Sequence, residues 1–407
     1  MIVTFSCPRP GALLLAAALA LLNACGEAPS SAPADSSAAP VATQTPAEEA
    51  PSDEELADAM AAAVAAIEFT SPDDIGLMAR FHFATQTKDF DSARAFYRML
   101  GYTEGVGGFP LTNTHQMARA LGMFDLCQYE LAKGEVINLP GIMGANIDLL
   151  QFKTPFDPSP PYELPNHLGM AYAALLTTDL DGDVAFMTEN NVEFLSPPWG
   201  EVGQRYVFFR DPEGVLYKLF ENGPPQPDVA RDMNLAGMPY IGINVSDLER
   251  ALEFYALFGY TKVTPLAQTA GSLEEAQAWG LDRPFQIKGA DVSIERGDGH
   301  TLRLTQWLDP FDPEPPYPPP INRIGINRIA LMVPDMERAV GILKAKGVPF
   351  LSEIAPCCTG TVDDETAIVH AIDPDGVFLE LVGPIEKRPV APQPAHCPPL
   401  EIKYPPA

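Results

Sequence analysis

The chain has 407 residues and a formal net charge of −28 at pH 7, with 54 Asp and Glu residues against 26 Lys and Arg residues. This balance argues against a nucleic acid as a partner, because neutralising phosphates requires clustered Lys and Arg side chains. A chain of this length with 46% hydrophobic residues is able to bury two good-sized cores.

The first residues have the pattern of a bacterial secretory signal. Arg9 precedes an apolar run from Ala12 to Leu22, which is too short to remain as a membrane-spanning helix. Cys25 directly follows a small residue at the end of this run, as in a lipoprotein signal. We therefore predict a signal peptide over 1–24 and lipidation of Cys25, which would anchor the protein in the bacterial cell envelope, in the outer membrane facing the periplasm. The alternative is an ordinary signal peptide in which Cys25 is incidental.

The segment after the signal has the composition of a tether. Residues 26–52 are mainly Ala, Ser, Pro, Thr and Glu, so they cannot bury enough apolar surface to offset the entropy lost on ordering. We predict a disordered tether over 25–76, with room for a short helix from Asp53 to Ile67. The folded part of the protein is therefore expected to begin near residue 77.

An internal duplication organises the rest of the chain. Three motifs recur in the same order: Pro-Phe-Asp-Pro-x-Pro-Pro-Tyr at 155–162 and 310–317, Phe-Tyr with a following Gly-Tyr at 96–102 and 254–260, and Asp-Pro-Asp/Glu-Gly at 211–214 and 373–376. Slightly different spacing between the copies indicates a duplicated unit with small loop changes. We interpret the Pro-rich motifs as rigid connectors, because Pro fixes φ and blocks a helix.

Each half of the duplication contains two similar modules. An apolar strand, an acidic turn, an amphipathic helix and further short apolar runs occur four times. The strands begin near Arg80, Met170, Pro239 and Asn327, and the acidic turns contain Asp89, Asp179, Asp247 and Asp335. The pattern therefore predicts a module of one strand, one helix and then several strands.

These motifs resemble the vicinal oxygen chelate superfamily, which includes glyoxalase I, extradiol dioxygenases and bleomycin-resistance proteins. The resemblance covers residues 77–383. It implies an α+β fold of four βαβββ modules that form two glyoxalase-like domains, 77–225 and 235–385, followed by a Pro-rich tail over 386–407. It also implies curved sheets around a small-molecule cavity, whose chemistry must be argued from its own residues.

The resemblance also implies where the ligands of a metal ion would lie, in the first and last strand of each module. The first-strand positions are His82, Tyr172, Tyr240 and Arg328, and the last-strand positions are Asp148, Lys218, Arg303 and Glu380. The candidate metal ligands are His82, Asp148 and Glu380, since ammonium and guanidinium groups have no lone pair to give. The candidate ligand-binding residues are the other five, Tyr172, Lys218, Tyr240, Arg303 and Arg328.

The pairing of the modules decides what each cavity contains, and the sequence leaves it open. If neighbouring modules pair, neither cavity makes a credible metal site. If the first module pairs with the fourth, the three candidate metal ligands meet beside Arg328, whose charge would oppose a cation. In another possibility, the charged side chains only balance each other in buried ion pairs, Asp148 with Lys218 and Glu380 with Arg303 or Arg328. Alternatively, the Arg and Tyr groups bind an anionic or polyoxygenated ligand through forked hydrogen bonds.

We predict structural roles for several of the other Cys and His residues. In an oxidising periplasm, we expect a disulfide from Cys357 or Cys358 to Cys397 that pins the tail, and Cys127 is the other Cys of the folded part. His167 and Arg323 are equivalent in the repeat and are predicted to lie at a rim or turn. His370 is predicted to be a packed or hydrogen-bonded histidine in a strand.

The sequence favours a small-molecule binding protein, in the manner of resistance or sequestration proteins, in which metal chemistry is reduced or lost. A divalent metal ion is the one cofactor that the residues leave open. One alternative is a metal-dependent lyase, isomerase or dioxygenase that uses His82, Asp148 and Glu380. A glutathione-dependent glyoxalase is less favoured, because its thiol substrate is cytosolic. The third alternative is a structural envelope scaffold, and the oligomeric state is left open.

Overall fold

The computed structural model describes residues 62, 64, 66–107, 109–142, 144–226, 228, 231–296, 300–357, 363–389, 391–401, 403 and 404. The predicted signal peptide, Cys25, most of the predicted tether and Cys358 lie outside the described residues. No helix in the described ranges is long and apolar enough to cross a membrane.

The described chain folds into four consecutive modules that alternate in composition. Module 1 contains β1 (Ala79–Gln86), α1 (Phe90–Met99), β2 (Glu104–Val106), α2 (His115–Ala120), β3 (Glu130–Asn138) and β4 (Asn146–Thr154). Module 2 contains β5 (Gly169–Thr177), α3 (Leu180–Glu189), β6 (Tyr206–Arg210) and β7 (Leu216–Glu221). Module 3 contains β8 (Leu235–Asn244), α4 (Leu248–Leu257), β9 (Lys262–Gly271), α5 (Leu273–Ala278), β10 (Phe285–Ser293) and β11 (Thr301–Asp309). Module 4 contains β12 (Ile326–Met332), α6 (Met336–Ala345), β13 (Ala355–Pro356), β14 (Asp363–Ile372) and β15 (Phe378–Pro389).

The four long helices begin in the same way, at an aspartate. The Asp89 carboxylate accepts a hydrogen bond from the backbone N–H of Ser92, three residues further on. Equivalent bonds begin α3, α4 and α6, from Asp179, Asp247 and Asp335. Such an N-cap satisfies a free helix donor and stabilises the protein by about 1 kcal/mol. The acidic turns that the sequence predicts are therefore the helix N-caps.

The strands form two mixed sheets, each built from one module of either half. The 8-stranded sheet has the order β13-β14-β15-β12-β1-β4-β3-β2, and the 7-stranded sheet has the order β6-β7-β5-β8-β11-β10-β9. Module 1 thus joins module 4 through the antiparallel pair β1 and β12, and module 2 joins module 3 through β5 and β8. Of the two pairings left open by the sequence, this is the one that joins the first module to the fourth. The ranges 77–225 and 235–385 each supply one module to each sheet.

The α+β class of paired modules is confirmed, with one module shorter than the others. In module 2, the residues between α3 and β6 contribute isolated bridges from Phe194 and Trp199 to β6. Modules 1 and 3 carry the additional short helices α2 and α5, whose positions correspond in the duplication. These two helices lie beside the faces where the candidate site residues are found.

The hydrophobic interior is divided between a main core and two smaller clusters. The main core combines both sheets with the four long helices, for example through Tyr97, Phe209, Tyr255 and Leu379, which are fully buried. The first smaller cluster belongs to the 8-stranded sheet and α2, and the second belongs to the 7-stranded sheet and α5. Each sheet is therefore covered on both faces, which explains the continuous burial of β1.

The two Pro-rich motifs pair with each other and form what we call the clasp, defined by Tyr162, His167, Tyr317 and Arg323. The rings of Tyr162 and Tyr317 stack with centroids 3.8 Å apart and planes 13° apart. The His167 ring lies 3.3 Å from that of Tyr162, and the Arg323 guanidinium lies 3.6 Å from that of Tyr317. Each Tyr hydroxyl donates to a backbone carbonyl of the opposite motif. The connectors thus hold the two halves of the chain together.

A disulfide fixes the C-terminal tail, but with a different partner from the expected one. Cys397 is bonded to Cys127, so the expected bond from Cys397 to Cys357 or Cys358 is wrong. The Gln393 side chain also donates to the backbone carbonyl of Cys127 at 3.2 Å. The tail therefore lies against the loop that precedes β3 in module 1.

Candidate functional site

Four charged or ionisable side chains of modules 1 and 4 meet on one face of the 8-stranded sheet: His82, Asp148, Arg328 and Glu380. The strand register brings them together, because Ala84 on β1 lies opposite both Asp148 on β4 and Arg328 on β12. His82 precedes Ala84 by two positions, and residues two apart in a strand face the same side. Glu380 lies on β15, the next strand beyond β12. All four side chains are buried.

The Arg328 guanidinium bridges the two carboxylates. Its Nη2 donates to Asp148 Oδ2 at 2.7 Å, and its Nε donates to Glu380 Oε2. The side chains of all three residues are less than one tenth exposed. Because a buried charge without a partner is strongly unfavourable, one cation shared by two carboxylates holds this group together.

His82 is the member of the group that has no hydrogen-bond partner in it. Its Nε2 lies 4.0 Å from Asp148 Oδ2, which is too long for a hydrogen bond. Neither ring nitrogen has a hydrogen-bond partner within the described part of the chain, although both are buried. By contrast, His370 Nε2 lies 3.2 Å from Glu380 Oε2, so His370 is the hydrogen-bonded histidine that the sequence predicts. His82 is therefore available to an additional group.

The electrostatics of the group follow from burial and from Arg328. Burial lowers the pKa of His82 to about 4, so its imidazole is neutral at neutral pH. Burial raises the pKa of Asp148 to about 7 against the opposing effect of Arg328. Burial also acts to raise the pKa of Glu380, but Arg328 and His370 outweigh it and hold this pKa far below its usual value. Glu380 is thus the permanent anion that balances the guanidinium.

An open cavity lies over these residues, and we call it the His82 cavity. It has a volume of about 760 Å³, a figure that includes open solvent at its mouth. Its floor is formed by His82, Asp148, Arg328 and Glu380, and its walls are mostly apolar and include Phe81, Phe109, Met117, Leu121, Tyr129 and Ile368. The cavity therefore combines apolar walls with a polar floor.

The donor set of the His82 cavity does not fit a divalent metal ion while Arg328 is in place. The guanidinium has no lone pair, and its charge lies between the two carboxylates that would hold the ion. In the described ranges, the one group of three donors within 4.8 Å of one another is Cys127, His396 and Cys397. Two of these are joined in a disulfide and offer no thiolate. Neither group fits the ion, and the role of His82, Asp148 and Glu380 as metal ligands stays a prediction.

The equivalent face of the 7-stranded sheet carries Tyr172, Lys218, Tyr240 and Arg303. Arg303 donates from Nε and Nη2 to the two oxygens of Asp291 at 2.7 and 2.8 Å, and from Nη1 to the Tyr240 hydroxyl at 3.1 Å. The predicted pairing of Glu380 with Arg303 is therefore wrong, whereas its alternative with Arg328 is correct. The predicted pair of Asp148 with Lys218 is also wrong, because these residues lie on different sheets.

Aromatic rings fill the space over this second face. The rings packed there include Tyr172, Phe208, Trp279, Phe285 and Trp307, which are all buried. The Trp279 ring lies 4.8 Å from Phe208 and 5.7 Å from Trp307, measured between centroids. We call this group, together with Lys218, the Lys218 cluster. It is a packed core where the 8-stranded sheet has a cavity.

Lys218 is surrounded by rings rather than by carboxylates. Its Nζ lies 4.0 Å from the ring centroid of Tyr206 and 5.4 Å from that of Trp279. Burial, and after it the nearby charge of Arg303, lower the pKa of Lys218 to about 7. The amine is thus about half protonated at pH 7. Arg328, the fifth predicted ligand-binding residue, lies in the His82 cavity and not here.

Sequence reasoning missed two residues that decide these arrangements. Asp291 faces Arg303 across β10 and β11, and its signal was a lone acidic residue in an apolar strand. Trp279 is the C-cap of α5, and the equivalent C-cap of α2 is Leu121. Aligning the two halves through the short helices would have shown this exchange of a large ring for a smaller side chain.

A second cavity, of about 740 Å³ counted to its mouth, is lined by the clasp and by the first residues of β5 and β12. Its basic side chains are engaged by the opposite Pro-rich motif. His167 Nδ1 lies 2.8 Å from Asp312 Oδ2, and Arg323 Nε lies 3.6 Å from Asp157 Oδ2. We attribute this cavity to the connection between the halves, in agreement with the rim or turn roles predicted for His167 and Arg323.

Comparison with known proteins finds one matching family model and several similar solved structures. Residues 79–219 match the family model described as the Glyoxalase/Bleomycin resistance protein/Dioxygenase superfamily. Among solved structures, glyoxalase I from Zea mays is 15% identical, with a TM-score of 0.45 over 75% of this chain and 92% of that one. A putative dioxygenase from Bacillus subtilis is 11% identical, with a TM-score of 0.43 over 76% of this chain and 86% of that one. No curated protein sequence matches the chain.

Proposed function

We propose that this protein, which carries a glyoxalase-like domain of that superfamily at residues 79–219, binds a small and largely apolar molecule in the His82 cavity without a metal ion. The observation that carries the proposal is the His82 imidazole in the lining of an open cavity, whose buried ring nitrogens have no partner among the described residues. A buried polar group without a partner is unfavourable, so a ligand that hydrogen-bonds to His82 gains that interaction on binding.

The chemistry of the cavity favours a neutral or cationic ligand. The walls are apolar and aromatic, which suits a hydrophobic body. The only guanidinium in the floor, that of Arg328, is already shared by two carboxylates. An anionic ligand would meet Asp148 and Glu380 without a free cation to balance it. The neutral imidazole of His82 offers one donor and one acceptor, which suits a hydroxyl, an amide or an amine.

The test is a ligand screen by thermal shift on the mature protein, using a library of neutral and cationic aromatic compounds. We expect hits that raise Tm in the wild type and lose their effect in Leu121→Trp, because the larger ring fills the cavity from α2. His82→Leu should weaken the same hits about tenfold or more, since the polar contact is lost. The matched control is Trp279→Leu, which changes the equivalent position beside the other sheet and should leave these hits unaffected. Binding that survives Leu121→Trp would refute the proposal.

We further propose that the mature protein begins at Cys25 and is lipid-anchored in the bacterial envelope, in the outer membrane facing the periplasm. The support is the signal pattern of the first 25 residues, together with a disulfide between Cys127 and Cys397, which is typical of an oxidising compartment. Mass spectrometry of the mature N-terminus and fractionation of Cys25→Ala test this proposal. We expect a lipid-modified Cys25 and release of the variant from the membrane fraction. An unmodified N-terminus at another residue would overturn it.

A further inference from the structure

The most unusual group in the molecule is the cation at the floor of the His82 cavity. Asp148 and Glu380 converge on the same guanidinium from two sides, and each uses one oxygen for it. His82 Nε2 lies 4.0 Å from the Asp148 oxygen that binds the guanidinium. One cation is thus surrounded by two carboxylates and one neutral imidazole, and all of them are buried.

We propose that the Arg328 guanidinium is the resident cation of this cavity and occupies the position in which these side chains would otherwise hold a divalent metal ion. Replacing Arg328 by a neutral residue therefore creates a metal site whose ligands are His82, Asp148 and Glu380. The inference concerns the same cavity as the proposed function, but it does not depend on any bound small molecule.

The surroundings of the three donors support this reading. Glu380 accepts a hydrogen bond from His370, and partners of this kind orient the ligands of metal ions. Ala84 lies opposite Asp148 in β4 and opposite Arg328 in β12, so the cation and this carboxylate are on the two strands that flank β1, at the same level of the sheet. The sheet therefore brings the cation and one of its two carboxylates to the same level.

The chemistry of the donors defines the class of ion. One imidazole and two carboxylates suit borderline and hard divalent ions such as Zn²⁺, Co²⁺, Mn²⁺ or Fe²⁺. Removing the guanidinium leaves two buried carboxylates uncompensated, which destabilises the fold. An ion that replaces its charge should restore stability, so metal binding in such a variant is linked to folding.

The experiment compares the wild type with Arg328→Gln and Arg328→His, each purified without an affinity tag and stripped with chelator. Metal content after incubation with Co²⁺ or Zn²⁺ is measured together with Tm in chelator and in metal. We expect the wild type to bind no metal and to have the same Tm in chelator and in metal. The variants should bind about one equivalent, with a Tm that is low in chelator and rises by several degrees in metal.

Two controls make the assignment specific. Adding His82→Ala to Arg328→Gln should weaken metal binding by tenfold or more, because one of three ligands is lost. Arg303→Gln, at the equivalent position of the other sheet, should bind no metal, because Arg303 contacts a single carboxylate there, that of Asp291.

The outcomes decide the proposal even if the variants are unstable. If a variant is unfolded in chelator, refolding from urea with and without metal supplies the same comparison. Metal-dependent refolding supports the proposal, and failure of both variants to gain stability from any of these ions overturns it. Stoichiometric metal in the wild type that is lost in His82→Ala also overturns it. A failed ligand screen with metal-binding variants would refute only the proposed function.

Discussion

Equivalent positions on the two sheets carry different side chains, and the result is a cavity in one case and a packed core in the other. By strand register, His82, Asp148, Arg328 and Glu380 on the 8-stranded sheet correspond to Tyr240, Arg303, Tyr172 and Lys218 on the 7-stranded sheet. The first set contains two carboxylates and one guanidinium. The second contains two cations, one of which recruits a carboxylate from the neighbouring strand β10.

The residues around these four equivalent positions also differ between the two sheets. The cross-strand neighbour of Glu380 is His370, which contacts its carboxylate, whereas the neighbour of Lys218 is Phe208. Beside the cavity, α2 ends at Leu121, while α5 ends at Trp279. One backbone arrangement is thus compatible with an open cavity or with a hydrophobic core, and the side chains at a few equivalent positions decide between them.

The largest expected difference between the two faces is in their buried charges. Arg328→Met should lower the free energy of unfolding by about 3–5 kcal/mol, because it leaves Asp148 and Glu380 buried without a cation. Arg303→Met should cost only about 1–2 kcal/mol, because its single carboxylate partner Asp291 is 23% exposed and retains some solvation. Urea denaturation of both variants measures this difference. Equal losses of free energy of unfolding would mean that the guanidinium of Arg328 does not balance the charges of both carboxylates.

The second difference is the side chain at the end of each short helix. Trp279→Leu should cost about 2–3 kcal/mol, because it removes a buried ring from the Lys218 cluster and the Tyr206 hydroxyl loses its indole donor. The exchange in the other direction, Leu121→Trp, should cost less, because the new ring enters an existing cavity.

Thermal denaturation of both variants, with binding of an apolar dye as a second measurement, checks this expectation. Trp279→Leu should gain dye binding and Leu121→Trp should lose it. If both variants bind dye as the wild type does, the volume of the two faces is not controlled by these helix ends.

A smaller difference should appear in the pH dependence of stability. The pKa of Lys218 in the folded protein is about 7, below the ordinary lysine value of 10.5, owing first to burial and then to Arg303, while Glu275 and Asp291 act in the opposite direction. The unfolded chain therefore binds more protons between pH 7 and about 10, and stability attributable to this residue rises with pH across that window. Below pH 7, the Lys218 amine is protonated in both the folded and the unfolded state. The folded state then bears the full cost of burying this charge.

Lys218→Met should consequently be more stable than the wild type at pH 6, by about 1–2 kcal/mol once the lost cation–π contacts are subtracted. The gap should close toward pH 10, where the wild-type amine is neutral in the folded state and still largely protonated in the unfolded chain. Lys218→Arg is the matched control, since its charge is not removed over this range and it should stay less stable at every pH. A gap that is independent of pH would show that Lys218 remains charged in its cluster.

The local part of this structure is readable in the sequence, and the part that depends on contacts between distant segments is not. The aspartate caps of α1 and α3 and the order of strands and helices follow from short patterns, which is why four modules are recognisable. The positions of His82 and Glu380 on their strands follow from the same patterns. Their meeting depends on the pairing of β1 with β12, and nothing local to either strand specifies that pairing.

Side-chain partners were the least predictable feature. Arg328 had two carboxylates within reach and takes both, whereas Arg303 takes one on the neighbouring strand β10. The disulfide joins Cys127 to Cys397 across a sequence separation of 270, so no spacing rule applies to it. These choices depend on which surfaces pack together, and a single sequence does not show that.

The clasp offers the opposite case, in which the two halves are alike and equal effects are expected. Tyr162 and Tyr317 stack on each other, and each hydroxyl donates to a proline carbonyl of the opposite motif. Tyr162→Leu and Tyr317→Leu should therefore destabilise the protein by similar amounts, about 1 kcal/mol each, because each removes the same stack and one hydrogen bond. The double variant should cost less than the sum, with a coupling of about 0.5–1 kcal/mol, because the stack is lost only once. Additive losses in urea denaturation would mean that the two tyrosines act separately and that the halves are joined by the sheets alone.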